Sequence, residues 1–230
     1  MNKQLTDLIT QLNLTVKNEH LIQNAFVHRS YLNESKEFEM SNERLEYLGD
    51  AVLELATSHY LYNTYPDFQE GMLTNMRAAL VRTESLGDTA TELGFPKLLL
   101  MSKGEEATGG RSNRSILADT FEAFLGAIYL DQGYEPCVKL LSEHLFTKAD
   151  NVLKTATYKD NKSLLQEIAQ SRYKATPMYN LISESGPDHD KEFVMQVEIA
   201  GTLYGEGKGK SKQTSQEDAA KNTLEMITHS

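Results

Sequence analysis

Three carboxylates, Glu43, Glu46 and Asp50, are spaced i, i+3 and i+7. On a helix, at about 100° per residue, that spacing gathers them within roughly 60° of one another. A second pair, Asp119 and Glu122, is set differently. These are the only charges between Ile116 and Leu130, and no Lys or Arg stands within four positions of either. A local helical ion pair is therefore ruled out. A buried carboxylate without compensation is costly and tends to take up a proton. A hard divalent cation removes that cost, and Mg²⁺ accepts carboxylate oxygens while keeping several waters. Such a site suits phosphodiester hydrolysis, because the ion activates a water and offsets charge on the phosphate. Two ions about 4 Å apart would do both in line. Plainer readings stay open. Glu43, Glu46 and Asp50 also fit a solvated helix face. Asp119 and Glu122 also fit surface acids, or partners of a distant Arg77 or Arg82. Glu70, just before Gly71, is by itself only a loop acid.

The elements that must position these acids read as helix after helix over residues 3–155. Leu5, Leu8, Ile9 and Leu12 recur at helical spacing, and Leu21, Ile22, Ala25 and Phe26 mark a second, short helix. After the polar stretch Asn33 to Ser41, a long helix is expected from about Asn42 to Asn63, capped by Ser41 and ended by Pro66. Leu45, Leu48, Val52 and Leu55 lie opposite its acids. The pattern next predicts one helix from about Gly71 to Leu93, stopped by Gly94-Phe95-Pro96. Gly104 to Asn113 reads as a loop broken by Gly109-Gly110. A helix capped by Ser115 carries Ile116 to Leu130, and Gly133 ends it. A last helix covers about Glu135 to Leu153.

The texture changes at Thr155-Ala156-Thr157-Tyr158, which reads as a linker. The expected division is 1–155, a linker at 156–160, and a smaller domain at 161–230. That domain opens with a helix, Lys162 to Ser171. Alternating runs at Met178 to Glu184 and Phe193 to Ile199 predict strands, Gly201 to Gly205 a turn into a third, and Ser215 to Ile227 a closing helix.

The run Asn42-Glu43-Arg44-Leu45-Glu46-Tyr47-Leu48-Gly49-Asp50-Ala51-Val52-Leu53 resembles the signature of the ribonuclease III family. Ala25-Phe26-Val27-His28-Arg29-Ser30-Tyr31 is similar to the segment ahead of that signature. Gly109-Gly110 through Ser115-Ile116-Leu117-Ala118-Asp119-Thr120-Phe121-Glu122-Ala123 is similar to the segment with the second acidic pair. The resemblance spans nearly the whole chain. It implies an all-α endonuclease domain followed by a small α+β (α-β-β-β-α) double-stranded RNA-binding domain. It implies a homodimer through the endonuclease domain, one catalytic site per subunit, and a shared RNA-binding valley. Glu46, Asp119 and Glu122 would be metal ligands, with Mg²⁺ as the cofactor and Mn²⁺ as a substitute. Asp50 and Glu122 would be most tied to catalysis, while Glu43 and Glu70 would help shape the site and hold RNA or a second ion. The implied products carry 5′-phosphate and 3′-hydroxyl ends with a short 3′ overhang. The implied substrates are ribosomal RNA precursors and some messenger RNAs. All six acidic positions are filled, which counts against an inactive relative.

Gly205-Glu206-Gly207-Lys208-Gly209-Lys210-Ser211-Lys212-Gln213 is Gly-rich, with three Lys at alternate positions ahead of a helix. Clustered Lys at a helix N-terminus make a phosphate clamp. A flexible basic turn is the plainer reading, and the α-β-β-β order favours the clamp. Together they resemble a domain that reads A-form shape and 2′-hydroxyls. By that resemblance Lys208, Lys210, Lys212 and Gln213 meet phosphates, while Gln166, Glu167 and His189 meet minor grooves. Gln213 stands where another Lys is common, and Ser215-Gln216 where an Ala-acid pair is. With Asp188, Asp190 and Glu192 close by, RNA affinity should be weakened and fall steeply with salt.

Composition limits the alternatives. Hydrophobic residues make up 40% of 230, enough for a real core. The net charge is -10, with 14 basic against 22 acidic residues in 1–157 and 9 against 11 in 158–230. RNA binding must then come from local patches or bound cations. Cys137 is the only cysteine, so a disulfide within the chain and a cysteine zinc site are excluded. The N-terminal residues lack a signal-peptide core, and no apolar run approaches the roughly 18 residues of a membrane helix. A cytoplasmic setting is expected. His28, His59 and His144 lack metal-ligand spacing and read as structural, as do Met72, Met76 and Met101. Arg29 and Ser30 fit either a structural role or the valley. Two rivals to the nuclease remain. One is a non-catalytic double-stranded RNA-binding protein, which the complete acid set disfavours. The other is a hydrolase of a small phosphorylated substrate, which the Lys-rich tail disfavours.

Overall fold

The computed structural model describes residues 3–155, 161–187 and 191–228. The linker expected at 156–160 and His189 lie outside them, as do Asp188 and Asp190. Two compact units divide the chain, Met1–Tyr158 and Lys159–Ser230.

The first unit is helical: α1 (Lys3–Gln11), α2 (Glu19–Asn24), α3 (Glu43–Thr64), α4 (Glu70–Val81), α5 (Thr83–Glu92), α6 (Lys103–Ala107), α7 (Arg114–Gln132), α8 (Tyr134–His144) and α9 (Ala149–Thr155). Helix α7 is the axis. Leu117, Phe121, Phe124, Leu125 and Ile128 are all buried, and α3 and α5 pack along it. Phe95 and Phe124 meet edge to face at 5.3 Å, and Phe26 joins them. A second core of Leu61, Met76, Leu80 and Ala149 lies under α4 and α9.

Several boundaries differ from the sequence expectation, each for a physical reason. Helix α3 begins after Asn42, not Ser41. Asn42 is pinned by its N–H to the Val27 carbonyl (2.9 Å) and its side-chain amide to the Ala25 carbonyl (3.1 Å). The Ser41 hydroxyl instead donates to Glu43 at 2.8 Å. The helix expected over 71–93 is two helices. Arg82 is extended (ψ 152°) between them, so α4 faces the second core while α5 faces α7. Asn113, not Ser115, caps α7 by accepting the Ser115 and Ile116 N–H groups. The loop 104–113 holds α6, capped by Ser102. The helix expected over 135–153 breaks after His144 into α8 and α9. Leu55 leaves the apolar face of α3 and is 60% exposed.

The second unit runs α10 (Asn161–Tyr173), β1 (Met178–Ser185), β2 (Glu192–Ile199), β3 (Thr202–Gly209) and α11 (Lys212–Thr228). The strands form an antiparallel sheet in the order β1-β2-β3. Both helices cover its inner face over Leu165, Ala169, Met195, Val197, Ile199, Ala219 and Ala220. The β2–β3 turn is Ala200-Gly201, both at positive φ, rather than Gly201 to Gly205. The Gly-rich run is therefore strand, not flexible turn. A Cβ on Gly205, Gly207 or Gly209 would overlap α11, so these glycines let the helix lie directly on β3.

Candidate active site

Helices α3 and α7 touch backbone to backbone. A Cβ on Gly49 would overlap the Glu122 carbonyl, and one on Gly126 would overlap the Leu45 carbonyl. Mid-helix glycine costs about 1 kcal/mol relative to alanine, so two of them facing each other mark a required close approach. The approach brings one turn of each helix together. Oxygens of Glu46, Asp119 and Glu122 all lie within 4.8 Å of one another, and the three side chains are half-buried.

The nearest arginines on neighbouring helices are committed elsewhere. Arg77 pairs with Glu54 at 2.8 Å, Arg82 reaches only Glu84 at 4.0 Å, and Arg114 goes to Asp88 at 3.0 Å. Among the described residues no Lys or Arg pairs with Asp119 or Glu122. Burial, followed by the charges of Asp50, Asp119, Glu46 and Glu54, pushes the Glu122 carboxyl up to about 8. Burial also raises Glu46, with Asp119, Glu43 and Asp50 adding to it. Burial raises Asp119, and the His28 imidazole opposes that rise. Without a cation the cluster is frustrated. Three hard oxygen donors at this spacing fit a hard divalent ion. The buried Cys137 thiol, raised to about 12 by burial, is no soft-metal ligand.

The other expected acids are not within this triad. Asp50 lies one turn beyond Glu46 and is exposed, yet its charge acts on both Glu46 and Glu122. Glu43 is exposed and tied to Arg29 at 3.7 Å. Glu70 starts α4 and accepts the Thr74 hydroxyl at 2.9 Å. It borders a groove of about 390 Å³ with Ser58, His59 and Arg77, apart from Glu46, Asp119 and Glu122. Sequence reading did not single out Gly49 and Gly126 as what sets the spacing. Their signal was present as glycine inside two otherwise strong helices.

In the second unit Gln166 and Glu167 are exposed on α10. Lys208 is exposed near the end of β3, and its N–H donates to Asp218 at 2.9 Å. Ser211 and Thr214 cap α11 reciprocally. The Thr214 hydroxyl oxygen accepts the Ser211 N–H (3.0 Å), and the Ser211 hydroxyl oxygen accepts the Thr214 N–H (3.2 Å). Lys210, Lys212 and Gln213 are exposed around that helix start. Ser215 is buried, and its hydroxyl donates to the Ser211 carbonyl at 2.9 Å.

Comparison with known proteins bears on both units. Residues 18–149 match the Ribonuclease-III-like family, and residues 161–227 match the double-stranded RNA binding motif. The chain is 47% identical to Ribonuclease 3 of Shouchella clausii, covering 96% of this chain and 85% of the relative. It is 44% identical to Ribonuclease 3 of Enterococcus faecalis, covering 98% of each. Among solved structures, the nuclease domain of ribonuclease III from Campylobacter jejuni superposes with a TM-score of 0.58 at 36% identity. That match covers 62% of this chain and 96% of that one.

Proposed function

The chain belongs to the ribonuclease III family and is an endoribonuclease of double-stranded RNA, and on that premise we propose how its residues run the reaction. Glu46, Asp119 and Glu122 hold Mg²⁺, with Mn²⁺ as a substitute. When bound, the ion supplies positive charge that offsets charge developing on the phosphate and eases ionisation of a water. Their meeting within 4.8 Å, half-buried and without a Lys or Arg partner among the described residues, carries this reading. Glu122 and Asp50 are the catalytic carboxylates. Glu122 holds its orientation through the α3–α7 contact, and Asp50 meets water and RNA at the exposed edge. Glu43 and Glu70 are auxiliary acids that shape the approach of RNA or a second ion. Water attacks phosphorus and gives up a proton, while the P–O3′ bond breaks and the departing O3′ takes up a proton from solvent. The products carry 5′-phosphate and 3′-hydroxyl ends, with a short 3′ overhang.

Residues 1–155 form the nuclease domain, 156–160 the linker and 161–230 the RNA-binding domain. Lys208, Lys210, Lys212 and Gln213 take phosphates, while Gln166, Glu167 and His189 take minor grooves. The nuclease domain works as a homodimer. Tyr47 (83% exposed), Leu55 (60%) and Tyr62 (71%) run along α3, and such an apolar strip supports a self-interface. The Campylobacter jejuni nuclease domain likewise has a region involved in dimer formation, where it shows structural flexibility. Among the described residues no helix is long and apolar enough to cross a membrane. We place the work in the cytoplasm, on ribosomal RNA precursors and some messenger RNAs.

Cleavage of a long RNA duplex with Mg²⁺, followed by end-group analysis, tests this. Glu122→Gln should abolish cutting and leave duplex binding intact. A parent protein that binds duplex RNA but leaves it uncut across metals and pH would return the non-catalytic reading.

A further inference from the structure

The segment around Arg29 is fixed beside the first turn of α3. The Val27 carbonyl accepts the Asn42 N–H at 2.9 Å, directly ahead of that helix, and the His28 N–H donates to the Leu100 carbonyl at 2.9 Å. The His28 ring accepts the Ser30 N–H at 3.3 Å, and the Ser30 hydroxyl oxygen accepts the Ser102 N–H at 3.0 Å. Arg29 opens the short helical turn Arg29–Asn33 within this network. Its backbone is bracketed on both sides, while its side chain stands 75% exposed. Arg29 and Ser30 fitted either a structural role or RNA contact in the sequence, and these bonds separate them. The Ser30 hydroxyl brackets two segments; the Arg29 guanidinium brackets nothing.

Among the described residues the guanidinium reaches one acid, Glu43, at 3.7 Å. An exposed pair at that separation is weak, because water screens it and two long side chains must be ordered. Most of the five N–H donors of the fork stay available. Glu43 also accepts the Ser41 hydroxyl at 2.8 Å, so it keeps a partner if Arg29 departs. Glu43 and Glu46 are i, i+3 neighbours on α3, with Cβ atoms about 5–6 Å apart. Arg29 therefore stands roughly one helical turn from the meeting point of Glu46, Asp119 and Glu122. Arg77, Arg111 and Arg114 are held by shorter bonds to Glu54, Glu106 and Asp88, at 2.8, 2.6 and 3.0 Å. Residues 1–157 hold 14 basic against 22 acidic residues, so a duplex approaching the cluster needs a local cation.

Building on the active site proposed above, we propose that Arg29 is an RNA contact of the first unit: its guanidinium leaves Glu43 and takes non-bridging oxygens of a phosphate neighbouring the one that is cut. A planar fork can meet two phosphate oxygens at once, which the 3.7 Å contact with Glu43 does not achieve. One turn away, it holds the duplex without neutralising the carboxylates that need the metal. Glu43 then shapes the approach of RNA by competing for Arg29.

The test is binding of a short RNA duplex to the full chain carrying Glu122→Gln, read by fluorescence anisotropy with Mg²⁺ at several salt concentrations. Steady-state cleavage by chains with Glu122 intact runs alongside, and circular dichroism reports folding. Arg29→Gln should weaken binding and raise KM roughly 3–10-fold, with kcat little changed. It should also reduce the slope of log K against log salt by about 1. Arg29→Lys should restore the slope and most of the affinity. Lys36→Gln removes an exposed charge from the same stretch of chain and should leave the slope parental. Glu43→Gln should tighten binding about two- to fivefold, and that gain should vanish when Arg29 is already Gln. If the parent neither binds nor cuts the duplex, the active-site reading fails and this inference falls with it. A parent that cuts, with unchanged KM and slope in Arg29→Gln, overturns this inference alone. So does an equal slope change in Lys36→Gln, which marks net charge rather than a contact. If Arg29→Gln fails to fold, Glu43→Gln decides, and binding no tighter than the parent's overturns the proposal.

Discussion

Replacing Glu122 by Gln should stabilise the metal-free protein while destroying its activity. The Glu122 carboxyl is pushed from an ordinary 4.5 up to about 8, first by burial and then by Asp50, Asp119, Glu46 and Glu54. The folded state therefore holds a proton that the unfolded state releases. A raised carboxyl contributes its full stability below about pH 4.5 and loses it as pH rises through about 8. At about 1.4 kcal/mol per pH unit, the ceiling on that loss is roughly 5 kcal/mol. The group is partly exposed, and solvent screening cuts the figure to about 2 kcal/mol. In a domain of this size that is about 4–8 °C in Tm. Gln keeps the shape and has no proton to lose. Thermal melts in EDTA from about pH 4.5 to 9 should show the parent falling away from Glu122→Gln as pH rises. Mg²⁺ should then close the gap by binding the ionised parent. Parallel melting curves across that range would refute the frustrated cluster, whatever cleavage assays show.

Gly49→Ala forces a methyl against the Glu122 carbonyl; overpacking of about 1–3 kcal/mol is expected, with cleavage lost more completely than helicity in circular dichroism. Lys210→Ala with Lys212→Ala should weaken duplex binding and reduce the slope of log K against log salt by about 2, and a titration series at several salt concentrations reads it directly. Leu55→Arg places a charge in the exposed strip of α3; sedimentation should show a monomer, and a variant that stays dimeric removes that strip from the interface.

The helical content and the acid set were legible because each has a local signal. Asp119 and Glu122 stood out as lone charges in an apolar run, and their meeting with Glu46 is the physical resolution of that oddity. Helix breaks were not legible. Arg82 carries no Gly or Pro, and its extended backbone is set by α4 and α5 facing different cores, a tertiary cause. Caps were misplaced by one or two residues because Ser41, Asn42, Asn113 and Ser115 are all competent; which one serves depends on distant carbonyls such as those of Ala25 and Val27. Periodicity put Leu55 in the core, but among the described residues nothing buries it. A flexible turn stayed open as the plainer reading of the Gly-rich tail because sequence does not show α11 pressing on β3.

The backbone contact at Gly49 and Gly126 has a bearing on which ion the cluster can select. With main chain already against main chain, the gap between the two acidic turns is a fixed gauge, set by the peptide itself rather than by the fit of side chains. Ca²⁺ needs ligand distances longer than those of Mg²⁺ by roughly 0.3–0.5 Å. The helices have nothing between them to compress, so that difference must be absorbed entirely by rotation of Glu46, Asp119 and Glu122. Ion discrimination would then trace to two residues that donate no ligand at all.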